Sequence, residues 1–152
     1  MSYTIDQKEI DAALFEFLRS IYLFEQRETV MFGINWSEVY LLHLLIRHPG
    51  IHISSLSKKM NQAIFSTSRM VSRLEKAGFL HKKLDEIDKR AVSLHITDEG
   101  TTQIKLIERY NYDIVSAQFN KMPEQTIRSL LDAVSQLNVL LNVETMDEDN
   151  KC

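Results

Sequence analysis

The chain has 152 residues, 44% of them apolar, and a formal net charge of −3, which fits one domain or one domain with oligomerisation arms. No apolar run approaches the ~20 residues that a membrane span needs, and the N-terminal MSYTIDQKEID, acidic and without an apolar core, is not read as a signal peptide. The sole cysteine is the last residue, Cys152, so no disulfide framework can form within the chain and a reducing cytoplasm is expected.

From about Ile10 to Met31 one long helical pattern repeats. Ile10, Leu14, Phe17, Ile21 and Phe24 recur at steps of four and three, and Ala13 and Leu18 widen the stripe. Gly33 breaks it. Asn35 with Glu38 three residues later is a capping pair for a second helix through Val39, Leu41, Leu42, Leu45 and Ile46. Pro49-Gly50 stops that helix, and Ile51–Ile53 reads as a short extended piece, a third strand beside a later hairpin.

The stretch Ser54 to Ile96 reads SSLSKKMNQAIFSTSRMVSRLEKAGFLHKKLDEIDKRAVSLHI. A short helix is expected to open at Ser54-Ser55, capped by these hydroxyls, and Asn61 suits the left-handed residue of a tight turn. A longer helix follows, with Ile64, Met70, Val71 and Leu74 inward and Ser66, Ser68, Arg69, Ser72 and Arg73 outward. Gly78 stands where a helix takes a residue of positive φ. Two alternating segments, Phe79–Leu84 and Ala91–Ile96, flank a link, Asp85–Arg90, that is charged except for Ile87. On the second segment Val92, Leu94 and Ile96 share one face. Helix, turn, helix and a hairpin with a charged tip make a winged helix-turn-helix.

Thr97 is then a good N-cap, with Asp98 and Glu99 in a first turn that favours acids. That helix carries Ile104, Ile107, Ile114 and Phe119. Met122-Pro123-Glu124 restarts the chain with proline at a first helical position. A last helix carries Ile127, Leu130, Leu131, Val134, Leu137 and Leu141, and the acidic tail 144–152 is expected to fray. The fold class is therefore mainly α with a small β-hairpin wing. Residues 1–34 form an N-terminal dimerisation helix, 35–97 the winged lobe and 98–143 the C-terminal dimerisation helices. The outer helices have too little partner surface within one chain, and packing against a second copy would bury their stripes.

Charge is unevenly placed. Between Ser54 and Ile96 nine lysines and arginines stand against four acids, a net +5, so the remainder of the −3 chain is at −8. A mildly acidic protein that gathers its cations in one segment has the electrostatic footprint of a polyanion binder.

These residues together resemble the MarR family of bacterial winged-helix transcription regulators, over about residues 10–141. The most specific part is Ser68 to Gly100. There Leu74-Glu75-Lys76-Ala77-Gly78 matches the family's leucine-glutamate-lysine-x-glycine turn. Asp88-Lys89-Arg90 matches its D-x-R wing, and Ile96-Thr97-Asp98-Glu99-Gly100 its entry into the next helix. The resemblance implies a triangular homodimer with intertwined terminal helices and two winged lobes on DNA. Gln62, usually aliphatic in the family, and Phe65, usually small or polar, depart from the pattern. Phe65 is left facing DNA, thymine methyls or the lobe's core, and the operator sequence is not readable.

On this architecture the recognition helix enters the major groove with Ser66, Thr67, Ser68 and Arg69 at its leading end. Arg69 offers the sharp base contact, and Arg73 meets phosphate or anchors the helix. Arg90 is the residue expected in the minor groove, with Asp88 orienting the wing as the family implies. Lys82, Lys83 and Lys89 supply salt-sensitive attraction, and Ser54 meets a phosphate or simply caps. The family's crevice for small aromatic or phenolic effectors would be lined by Tyr22, Trp36, Tyr40 and His43, which packing in the core explains as readily. The reading is thus a homodimeric regulator of the prokaryotic cytosol, a repressor of a pseudo-palindromic operator released by an effector. The alternative is a winged helix that docks protein and does not bind DNA.

An enzyme is not expected. The four glycines are scattered and make no phosphate loop, and no nucleophile-histidine pair has a recognisable context. No metal or cofactor is expected either: His43, His48, His52, His81 and His95 lack ligand spacing, and a cysteine at the chain's end is a poor thiol sensor.

Overall fold

In a computed structural model the chain is described from residue 3 to residue 143; the tail 144–152, with Cys152, lies outside the described residues. Two compact units divide it, Met1–Glu108 and Arg109–Cys152.

In the first unit, α1 spans Gln7–Phe32, starting where the Asp6 carboxylate accepts the amide of Glu9 and ending at Gly33 with φ 72°. Short polar caps and a left-handed glycine satisfy the helix ends. Helix α2, Trp36–Arg47, opens with the expected capping box between Asn35 and Glu38. A two-residue strand β1, Ile51–His52, leads directly into α3, Ile53–Lys59. Asn61, with φ 51°, makes the turn, and α4, Ile64–Lys76, follows. Strands β2, Leu80–Leu84, and β3, Val92–Ile96, form the hairpin. The sheet order is β1-β3-β2, all antiparallel, with Leu94 opposite both Ile51 and Lys82. The third strand read from Ile51–Ile53 is present, one residue shorter.

One apolar core closes this unit. Val39, Leu41, Leu42, Leu44 and Leu45 of α2 meet Leu56 of α3, Val71 and Leu74 of α4, Leu80 and Leu94 of the sheet, and Ile104 and Ile107. The last two belong to α5, Asp98–Ser116. Thr97 caps α5 through the Gly100 amide at 3.0 Å, and its hydroxyl also donates to the Gly78 carbonyl at 2.6 Å. Gly100 has no alternative: a Cβ there would stand 2.1 Å from the Phe79 carbonyl oxygen. The helix start is thereby pressed against the chain entering β2.

The Arg109–Cys152 unit contains the end of α5, a 3₁₀ turn at Phe119–Lys121 and α6, Glu124–Leu140. Phe119, expected on α5, falls in that turn. Pro123 is the N-cap of α6 and not its first helical residue, because its ψ of 145° is extended. No residue of α6 is buried, and Leu130, Leu131 and Val134 are open to solvent. Among the described residues no single helix is long and apolar enough to cross a membrane.

Candidate nucleic-acid interface

Helix α4 has two faces set by its 3.6-residue period. Thr67, Val71 and Leu74 are buried, whereas Phe65, Arg69, Ser72 and Lys76 form the exposed stripe. Two expectations change here. Ile64, expected inward, is 54% exposed, because one turn before Thr67 and Val71 the helix has already left the core. Thr67, expected among the DNA contacts, is 0% exposed and faces the lobe's interior, in phase with Val71. Its hydroxyl has no hydrogen-bond partner among the described residues. Ser66 and Arg69 are exposed and Ser68 half-buried.

The helix is held from behind by a carboxylate that the sequence revealed only as a cap. Glu38 is 1% exposed. Its Oε2 accepts the Asn35 amide at 2.9 Å, and its Oε1 lies 3.1 Å from Arg73 Nη1. Arg73 Nη2 donates to the Gly33 carbonyl at 3.0 Å. A buried carboxylate needs such partners, since leaving it bare costs several kcal/mol. Of the two roles open to Arg73, phosphate contact or anchor, its geometry is that of the anchor: one guanidinium fixes α4 to the start of α2 and the end of α1. On the other side Glu75 accepts the Lys82 amide at 3.1 Å, and Lys82 Nζ lies 3.5 Å from its carboxylate and 3.4 Å from Ser72 Oγ. The wing's first strand is thus hooked to the recognition helix.

The wing tip is ordered by two aspartates. Asp88 Oδ1 accepts the Arg90 amide at 3.1 Å, the orienting role the resemblance implied for it. Asp85, not singled out from the sequence, does more. Its Oδ1 accepts the amides of Ile87 at 2.8 Å and Asp88 at 3.1 Å, and its Oδ2 meets His52 Nε2 at 2.8 Å. The Asp88 amide, then the His52 ring, then the Ile87 amide hold the Asp85 carboxyl down at about 2, against 3.8 for a free one. The sequence signal was there, an aspartate two and three residues before turn amides, but its tie to β1 is long-range.

Lys83 lies 3.6 Å from Glu86, and Lys89 and Arg90 are exposed. The expected cap at Ser54-Ser55 is absent. The N-cap of α3 is His52, whose side chain makes no capping bond, because strand β1 runs straight into the helix and places both serines inside it. Ser54 is exposed, and its carbonyl accepts Ser57 Oγ at 2.8 Å. An open cleft of about 370 Å³ between the start of α3 and the wing gathers His52, Ser54, Asp88 and Arg90. Of the residues expected at an effector crevice, Tyr22 and Trp36 are exposed, Tyr40 packs against the core, and His43 Nε2 lies 4.0 Å from Glu108. Among the described residues no group of three or more histidine, cysteine or acidic side chains is placed to hold a metal ion.

Residues 34–92 match the MarR family model. Three Bacillus subtilis proteins described as HTH-type transcriptional regulators are related in sequence. YfiV is 27% identical over 62% of this chain and 59% of its own length, so the match spans less than two thirds of that relative. YwhA is 20% identical over 84% of this chain and 91% of its own length. Among solved structures, MarR superposes with a TM-score of 0.65 at 24% identity, covering 93% of this chain and 97% of that one. Streptococcus pneumoniae FabT, solved in complex with DNA, gives 0.71 at 21% identity, covering 90% and 98%. The shared fold, the matched segment and the wing-and-helix geometry agree: residues 34–92 form a segment similar to the MarR family, on a fold shared with MarR and FabT.

Proposed function

We propose that this protein is a homodimeric DNA-binding transcription regulator of the prokaryotic cytosol. The observation that carries the reading is a single surface of the first unit: the exposed stripe of α4 and the exposed wing cations are both tied to one rigid core, within a segment of net charge +5. A helix presented this way fits a major groove and a basic wing fits the adjacent minor groove. Ser66, Ser68 and Arg69 then meet bases or phosphates, Arg90 enters the minor groove, and Ser54, Lys82, Lys83 and Lys89 supply backbone attraction. The DNA complex of FabT is a precedent from the same fold.

The second copy follows from the outer helices. Ile10, Leu14, Leu18 and Ile21 of α1 are exposed, as are Leu130, Leu131 and Val134 of α6. Stripes of this length call for a partner, and a two-fold partner matches a pseudo-palindromic operator with half-sites ~10 bp apart. Regulation follows as release from DNA by a small aromatic or phenolic effector near Tyr22, Trp36, Tyr40 and His43. The effector prefers a spacing of the two lobes that the operator does not fit.

The test is a mobility shift on the promoter upstream of the protein's own gene at two salt concentrations. A discrete complex is expected that weakens steeply with salt. Arg69→Ala and Arg90→Ala are each expected to weaken it about tenfold or more. Equal binding by the wild type and both variants would remove the contact assignment, and no complex even in dilute buffer would remove the DNA reading.

A further inference from the structure

The first turn of α4 exposes two large apolar side chains, Ile64 at 54% and Phe65 at 72%. An exposed apolar residue by itself is ordinary. The setting of Phe65 is not. It heads the stripe Phe65, Arg69, Ser72, Lys76, whose other members are polar or cationic. The Arg69 guanidinium carbon lies 5.8 Å from the Phe65 ring centroid, so ring and cation are held together one turn apart. Glu75, the sole acid of α4, is turned away into its contacts with Lys82. An apolar ring set among cations complements a polyanion that also offers apolar groups. Duplex DNA does so in the major groove, where the C5 methyl of thymine is the one apolar feature. Helix N-termini are the part of a recognition helix that reaches base edges.

We infer that Phe65 is a specificity-determining residue that reads a thymine methyl in each half-site, while Arg69, positioned by the same ring, reads the neighbouring base pair. This rests on the DNA-binding reading above and adds to it the base that the leading turn selects. Phe65 carries no charge, so its contribution is independent of salt, unlike that of the lysines.

The experiment starts from 30-bp duplexes selected by the wild-type chain from a random pool. In the best duplex each thymine is replaced in turn by deoxyuridine, which removes only the methyl. Affinities are measured for the wild type, Phe65→Ala and Phe65→Leu. At one thymine per half-site the wild type is expected to lose about three- to fivefold, the worth of one buried methyl. Phe65→Ala binds more weakly, shows no response to uracil at that position, and keeps the wild-type salt slope. Phe65→Leu retains part of the response. A wild type indifferent to uracil everywhere overturns the inference, as does a Phe65→Ala chain with the full wild-type response; both leave DNA binding standing. A chain that selects no duplex overturns the DNA reading and this inference with it. Since the side chain lies outside the core, the alanine variant should melt as the wild type does. Should it not, the uracil response of Phe65→Leu set against the wild type decides.

Discussion

Helices α1 and α2 follow one another in the chain and carry similarly spaced apolar residues, yet they meet opposite surroundings. In twelve residues α2 buries Val39, Leu41, Leu42, Leu44 and Leu45. Over twenty-six residues α1 leaves Ile10, Leu14, Leu18 and Ile21 exposed and buries only Glu28. The difference is one of neighbours. Helix α2 shares one core with α3, α4, the sheet and α5, so its central apolar side chains find a surface, whereas most of the apolar stripe in the first two-thirds of α1 stays open within its unit. Periodicity tells which face of a helix is apolar; only the surrounding elements tell whether that face is satisfied.

The sharpest way to break this comparison is to truncate one residue of each kind. Leu41→Ala, in a fully buried position, is expected to cost about 2–5 kcal/mol in denaturant unfolding, independent of protein concentration. Ile21→Glu, on the open stripe, is expected to act through assembly. The wild type is expected to sediment as a dimer and to melt higher as concentration rises, and the variant to sediment as a monomer with that dependence lost. A wild type that sediments as a single chain at micromolar concentration would sink the homodimer reading and leave the stripes of α1 and α6 unexplained.

The order and type of the elements were legible because each carries local punctuation. The Asn35–Glu38 box, Asn61, Gly78 and the Thr97 cap on the Gly100 amide all act within three or four residues of themselves, and all stand where expected. Leu94 and its alternation were likewise readable. What escaped was the phase at helix ends and every bond between distant segments. Ile64 and Thr67 lie on the sides opposite to those their sequence pattern predicts, because their exposure depends on where the core stops under α4, which no local pattern encodes. Ser54 and Ser55 looked like caps because the strand β1, only two residues long, left no room in the sequence for a boundary. The ties that set the interface, Glu38 to Arg73 and His52 to Asp85, span 35 and 33 positions. Charged pairs at such separations are invisible until the fold brings them together.

The first of those ties gives an intermediate effect. Removing the guanidinium in Arg73→Ala leaves Glu38 Oε1 buried without its cation. Because the Arg73 side chain is itself 61% exposed, water replaces part of the loss, and about 1–3 kcal/mol of destabilisation is expected. Arg69→Ala, four residues earlier on the exposed face, should change stability by no more than about 0.5 kcal/mol. Urea unfolding of the two variants side by side separates a positioning arginine from a contact arginine. Equal, small losses would mean that the Glu38–Arg73 bond does not hold α4.

The smallest effect concerns the wing tip, where the difference between the fixed lobe and its projection can be read by pH. The Asp85 carboxyl sits at about 2 in the folded chain against 3.8 unfolded. A lowered value means that folding favours the charged form. Its contribution is therefore fully present above about 4, fades as pH falls from there, and is gone below about 2. The group is solvent-accessible, so the readout is local. The amide resonances of Ile87 and Asp88, which donate to Asp85, should titrate together with a midpoint near 2. In Asp85→Asn this titration should vanish, and both amides should exchange faster with solvent at neutral pH. His52→Ala removes one of the three bonds that hold the carboxylate, so the midpoint should rise toward, but not reach, 3.8. A wild-type midpoint at 3.8 would mean that the wing tip does not hold this turn in solution, and that Arg90 is carried on a loose loop instead of on a braced one.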